Sequence, residues 1–227
     1  MFERLKKVFA FPTMRPQETP GADVVSEWAG TQGFGYTSQS SDGGFALTGK
    51  VSGKSWKIES RPSSRDYILG EELRARADLG LSKEATVIIL NRPLKEALEK
   101  RAYAIYTDAL QTTVTPGLSE EMRWLAMYEE FGWSSLVPEF WERYAVLADQ
   151  RDHALAWIDG NLAEMLLHWP EPGPDAQTPF LMMLLRGKAH LRMQYRPASI
   201  ATLQHAAITY TSACEAALAG LGPGPDL

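Results

Sequence analysis

Apolar positions recur along this chain with two different periods, and the changes of period divide it into segments. The first eleven residues, "MFERLKKVFAF", place Phe2, Leu5, Val8 and Phe9 on one helical face and Glu3, Arg4, Lys6 and Lys7 on the other. Three prolines in the next nine residues, "PTMRPQETP", break that pattern. Residues 1–18 are therefore expected to be an amphipathic helix on a Pro-rich tether. A short second helix is predicted from Pro20 to about Thr31, with Thr19 as N-cap and Val24, Val25 and Trp28 along one face.

The period then shortens to two. Phe45, Leu47 and Gly49 share one parity, and Trp56 and Ile58 share one parity beyond Ser52-Gly53, which predicts strand, tight turn, strand. "ELRARADLGL" sets Leu73, Ala75, Ala77 and Leu79 against Arg74, Arg76 and Asp78, with a helix still compatible. "ATVIILN" reads as a buried strand. From Pro93 the helical period returns, through Leu94, Ala97, Leu98, Ala102 and Ile105. Further helices are predicted at about 119–131, 136–149 and 152–168. "PEPGPDAQTP" is a loop, "FLMMLLRGKAHLRMQYRP" a second hairpin, and about 198–219 a last helix with Leu203, Ala207, Tyr210, Cys214 and Leu218 inward. Residues 222–227 form a tail.

The fold class these elements define is α+β: antiparallel hairpins in one or two sheets, packed on a central group of helices (about 94–168) and a C-terminal helix. Residues 19–221 are expected to form one domain. The two hairpins share a Gly-Lys turn, an alternating return strand and an Arg-Pro ending. Two related halves, 33–112 and 119–221, are the alternative to coincidence of turn chemistry.

Composition changes this picture little. Of 227 residues, 44% are apolar and 22% charged, and the net charge of −5 gives no reason to expect nucleic acid. The single Cys214 excludes an intrachain disulfide and a cysteine zinc cluster. The opening apolar run is short for a signal peptide and no run is long enough to span a membrane, so a cytoplasmic protein is expected. The charge is uneven. Residues 119–175 carry twelve acidic side chains against Arg123, Arg143 and Arg151, whereas residues 1–16 are net positive.

"GKVSGKS" ends in the letters of a phosphate-binding loop. Only three residues separate Gly49 from Gly53, however, and a strand pattern follows where that loop requires a helix. A hairpin turn is the reading adopted, so no nucleotide site is assigned. The four histidines fall in different elements without ligand spacing, and no metal or cofactor is assigned either.

Two function classes follow. The first is a non-catalytic protein-interaction module, an adaptor, chaperone-like or regulatory protein. Helix 119–131 carries a second apolar stripe, Trp124, Tyr128 and Phe131, beside Glu120 and Glu121, which would suit a basic partner segment. The partner would be another protein or a second copy, with peripheral membrane contact through residues 2–9 as the alternative. The second class is an enzyme or a small-anion-binding protein. Its site would be assembled from His153, Asp149, Asp152 and the strand arginines Arg74, Arg76, Arg186, Arg192 and Arg196, of which Arg192 and Arg196 would share a strand face. Asp152 is otherwise expected as an N-cap, and Cys214 as a buried thiol.

Overall fold

A computed structural model describes residues 20–39, 44–109 and 118–222. The predicted N-terminal helix, its tether and the tail from residue 223 lie outside the described residues. The rest is α+β: one nine-stranded, wholly antiparallel sheet with helices on both faces.

The first helix, α1 (Ala22–Thr31), begins after Gly21, two residues later than its proline indicates. Then come β1 (Gly35–Gln39), β2 (Gly44–Val51), β3 (Lys54–Pro62), β4 (Glu71–Asp78) and β5 (Val87–Asn91). Helices α2 (Arg92–Ala109) and α3 (Glu120–Met127) follow, then β6 (Glu129–Phe131), α4 (Pro138–Arg143) and β7 (Tyr144–Ala148). The chain closes with α5 (Arg151–Trp157), α6 (Gly160–Leu167), β8 (Phe180–Leu185), β9 (Lys188–Gln194) and α7 (Ile200–Leu221). Across the sheet the strands run β1-β2-β3-β4-β9-β8-β5-β7-β6.

Both predicted hairpins close on two-residue turns with positive φ at each position: Ser52 (47°) and Gly53 (77°), Arg186 (52°) and Gly187 (76°). That geometry matches the right-handed twist of the strands it joins. The Gly-Lys-Ser letters are thus the end of a hairpin turn and the start of β3. Gly49 has a different task, because a β-carbon there would stand 2.3 Å from the Trp56 ring.

Three predicted helices are shorter than their spacing implies. The one placed at 136–149 ends at Arg143, and Tyr144–Ala148 continues as β7 between β5 and β6. Tyr144, Val146 and Ala148 fit a strand period as well as Tyr144 and Ala148 fit a helical one; two unpaired neighbouring strands decide between them. The helix placed at 119–131 stops at Met127, and Glu129–Phe131 pairs with β7. The one placed at 152–168 breaks at Ile158–Asp159. Asp159, not Asp152, is the capping aspartate, accepting from the Leu162 N–H at 2.7 Å to start α6.

Register explains how the sheet holds its helices. One cross-strand row reads Tyr36, Leu47, Ile58, Ala75, Leu191, Met182, Ile89, Val146, Phe131, apolar from edge to edge. This face meets α1, α4, α5, α6 and α7 in the main core, where Trp157, Phe140, Leu166, Tyr210 and Cys214 are fully buried. Among the described residues, the other face carries a second core only under α2 and α3. There Ile88, Leu90, Leu147, Leu181 and Met183 meet Leu94, Leu98, Met122 and Trp124.

Candidate functional site: the uncovered half of the sheet

On that second face the row adjoining the apolar one reads Thr48, Lys57, Arg76, His190, Met183, Ile88, Leu147, Glu130. Its character changes between β9 and β8. To one side lies the core under α2 and α3; to the other, β2, β3, β4 and β9 show polar and charged side chains to an open groove of about 1170 Å³. Five cations line it, Lys50, Lys57, Arg74, Arg76 and Arg192, against the carboxylates of Glu59 and Asp78.

The strands place like charges opposite one another. Arg74 faces Arg192 across the β4–β9 pair and Arg76 faces Lys57 across the β3–β4 pair, an arrangement that weakens a strand pair unless each charge is answered elsewhere. Arg74 is answered by Glu59 at 3.1 Å, which also receives Lys57 at 2.7 Å. Burial pushes the Glu59 carboxyl up, but hydrogen bonds from Lys57 and Arg74 outweigh it and leave the group at about 2. Lys188 meets Asp78 at 3.2 Å. Arg76, exposed, has no ion-pair partner among the described residues. His190 is held down to about 4, first by burial and then by Arg192, Arg76 and Lys188, so its imidazole is neutral at physiological pH.

Arg192 is answered by Glu121 at 3.4 Å, and Glu121 is the anchor of α3. Its carboxylate is buried, meets Arg65 at 3.0 Å and accepts from the Tyr67 hydroxyl at 3.2 Å. Burial and the charge of Glu121 push the Tyr67 hydroxyl far above its ordinary range. The α3 helix is therefore pinned at the boundary between covered and uncovered sheet. A second, smaller groove of about 450 Å³ begins at the same Arg76, His190 and Arg192. It passes over Met183 and Leu185 to Trp124 and Glu120.

The structure thus brings together Arg74, Arg76, Arg192, Glu121 and Glu120, and separates other candidates from them. Trp124 is buried in the second core, Tyr128 packs half-buried beside it, and Phe131 packs on the main core through β6. Arg196 lies beyond the end of β9, its side chain along Gly70, and not on the strand face of Arg192. Arg186 sits in the hairpin turn at the far end of the smaller groove. His153 bonds Asp149 at 2.9 Å, and Asp149 also accepts from the Thr86 N–H at 2.9 Å, which ties α5 to the start of β5. Neither residue lines the basic groove. Cys214 is buried and its thiol is pushed up to about 12 by burial, which makes it unreactive. Among the described residues no group of three or more His, Cys, Asp or Glu could hold a metal, and no helix is long and apolar enough to cross a membrane. Lys50, Lys57 and His190 were not singled out by the sequence pattern, although Lys57 and His190 occupy the polar parity of strands it does predict.

No protein-family model and no curated protein matches the chain. Among solved structures it is similar to the mycobacterial trehalose monomycolate transport factor A, TtfA, with a TM-score of 0.51 at 10% identity. The likeness covers 90% of this chain and 98% of that one. At that identity the likeness is one of fold.

Proposed function

We propose that this chain is a non-catalytic accessory protein that works by docking a partner protein, and that the uncovered basic half of its sheet is the surface it uses. The observation that carries the reading is the alignment of Arg74, Arg76, Lys57 and Arg192 on one open face, with fewer carboxylates than cations to answer them. A sheet face that no described helix covers gains nothing in stability from opposed like charges, so their benefit lies with what covers the face. Charge complementarity defines that partner as an acidic segment, recognised chiefly through on-rate and selectivity. This turns the expected polarity around: the acidic side chain of α3 that points inward, Glu121, organises the site, and the arginines meet the partner. TtfA, a transport factor, shares this fold, and by fold analogy a docking role is in keeping with it.

The test is site-specific photo-cross-linking in cells of the source organism, with the cross-linker at Thr48 on the open face or at Glu215 on the exposed side of α7. Thr48 is expected to give a discrete adduct that Glu215 does not, and Arg76→Glu is expected to abolish it. An open face that yields no adduct, or the same adducts as α7, would sink the reading.

A further inference from the structure

The larger groove and the smaller one meet at three side chains, Arg76, His190 and Arg192. Arg76 and His190 are register partners, so their side chains rise side by side, with about 5 Å between the strands that bear them. The surrounding charges are those of Lys57 and Glu59 on β3, Arg74 and Asp78 on β4, Lys188 and Arg192 on β9, Glu120 on α3, and Lys83 and Arg186 in the flanking loops. Most of these are partnered: Lys57 and Arg74 by Glu59, Lys188 by Asp78, Arg192 by Glu121. Met183, the partner of His190 on β8, offers it no acceptor. Where the two grooves meet, what remains is the fork of Arg76, in no ion pair among the described residues, and an imidazole that burial and nearby cations keep neutral.

These two groups ask for the same thing. A guanidinium presents paired donors suited to two oxygens of one anion. Negative charge arriving beside a histidine among cations raises its affinity for a proton. A carboxylate brings one negative charge, which answers Arg76 and leaves none for a protonated His190 on the next strand. A phosphate monoester has three terminal oxygens and, near neutral pH, close to two negative charges.

We propose that the corner formed by Arg76, His190 and Arg192 is a binding site for the terminal phosphate of a monoester. The site rests on the reading of the uncovered half-sheet as the working surface only for its place there, not for the protein partner. The smaller groove, over Met183 and Leu185 toward Trp124, receives the body of the ester.

The experiment is a titration of the full chain with phenyl phosphate at about pH 6.5, near the ordinary histidine value, watching the His190 imidazole resonance by NMR. A saturable shift specific to His190 is expected, with acetate at equal ionic strength leaving it in place. Arg76→Ala, an exposed position, should keep the fold and weaken binding about tenfold, the loss of one charge-assisted contact. Lys50→Ala, on the far side of the groove, should change it less than about twofold. Vesicles with and without a phosphate-monoester headgroup separate the sources. Sedimentation lost in Arg76→Ala assigns a lipid headgroup, and a soluble shift without sedimentation assigns a free ester. No His190 shift at about 20 mM phenyl phosphate, far weaker than a useful site, or a shift indifferent to Arg76→Ala, overturns the site. A Thr48 adduct without a phosphate shift would leave the docking reading standing and this one refuted; the reverse pair would do the opposite.

Discussion

The two halves of the sheet's second face are built on the same strands' alternation and end in opposite states. Under α2 and α3, positions Met183, Ile88 and Leu147 bury apolar side chains against Leu94, Leu98 and Trp124. One strand further, the same row becomes His190, Arg76 and Lys57 and faces an open groove. The opposite face stays apolar across both halves. Strand alternation alone therefore does not tell a face that a helix covers from one left open. The difference lies in which neighbours the chain brings to cover it, and the boundary is held by one buried carboxylate, Glu121.

The largest effect should come from the covered half. Ile88→Ala removes a fully buried side chain between the sheet and α2–α3 and should cost about 2–5 kcal/mol in denaturant unfolding, the usual range for a buried aliphatic truncated to alanine. A loss below about 1 kcal/mol would mean that this core is loosely packed and that the two halves differ less than described.

Glu121→Ala tests the boundary. It leaves Arg65 and Arg192 without their shared carboxylate and Tyr67 without its acceptor, and should cost about 2 kcal/mol, less than a fully buried pair because both arginines keep some solvent. It should also speed hydrogen exchange in α3 before it does so in α7. Uniform acceleration would show that Glu121 does not pin that helix in particular.

The uncovered half should behave in the opposite way. Arg76→Ala removes an unpaired exposed cation and should leave stability within about 0.5 kcal/mol while abolishing the Thr48 adduct. A marked loss of stability would assign Arg76 to the scaffold.

The smallest effect is a dependence on pH. His190 has its pKa lowered in the folded state from 6.5 to about 4, so the unfolded chain binds a proton first as pH falls. Its contribution to stability is present above about 6.5, declines between there and about 4, and is constant below. Glu59, lowered from 4.5 to about 2, loses its contribution in a lower window that starts as the His190 one ends. Unfolding midpoints of wild type and His190→Asn should converge as pH falls from 6.5 to 4; parallel curves would show that His190 is not held neutral.

Much of the scaffold was legible because local rules and tertiary contacts agree. The two hairpins follow from alternation plus a turn dipeptide able to take positive φ, and α7 from a long apolar stripe behind a Ser199 cap that accepts from the Thr202 N–H at 3.0 Å. The strand at Tyr144–Ala148 was not legible, because residues buried on both sides satisfy either period and only the open edge of β5 selects one. The site divides the same way. That Arg74, Arg76 and Arg192 point away from the main core was written in the alternation of their strands. That Arg74 meets Arg192 required strands more than a hundred residues apart to pair, and nothing local encodes a partner at that separation. The stripe of Trp124, Tyr128 and Phe131 shows the converse: helical spacing grouped three aromatics that the end of α3 at Met127 divides between two cores.

By itself, then, the sequence determined the α+β class, both hairpins, the turn identity of Gly-Lys-Ser and the outward parity of the basic residues, since each depends on a few adjacent side chains and backbone sterics. The tertiary structure decided which half of the sheet the described helices leave open, that Arg76 is in no ion pair among the described residues, and that Glu121 is buried while its neighbour Glu120 is not. Those outcomes depend on burial and pairing between distant segments, where the cost of an unanswered charge is set by what packs beside it.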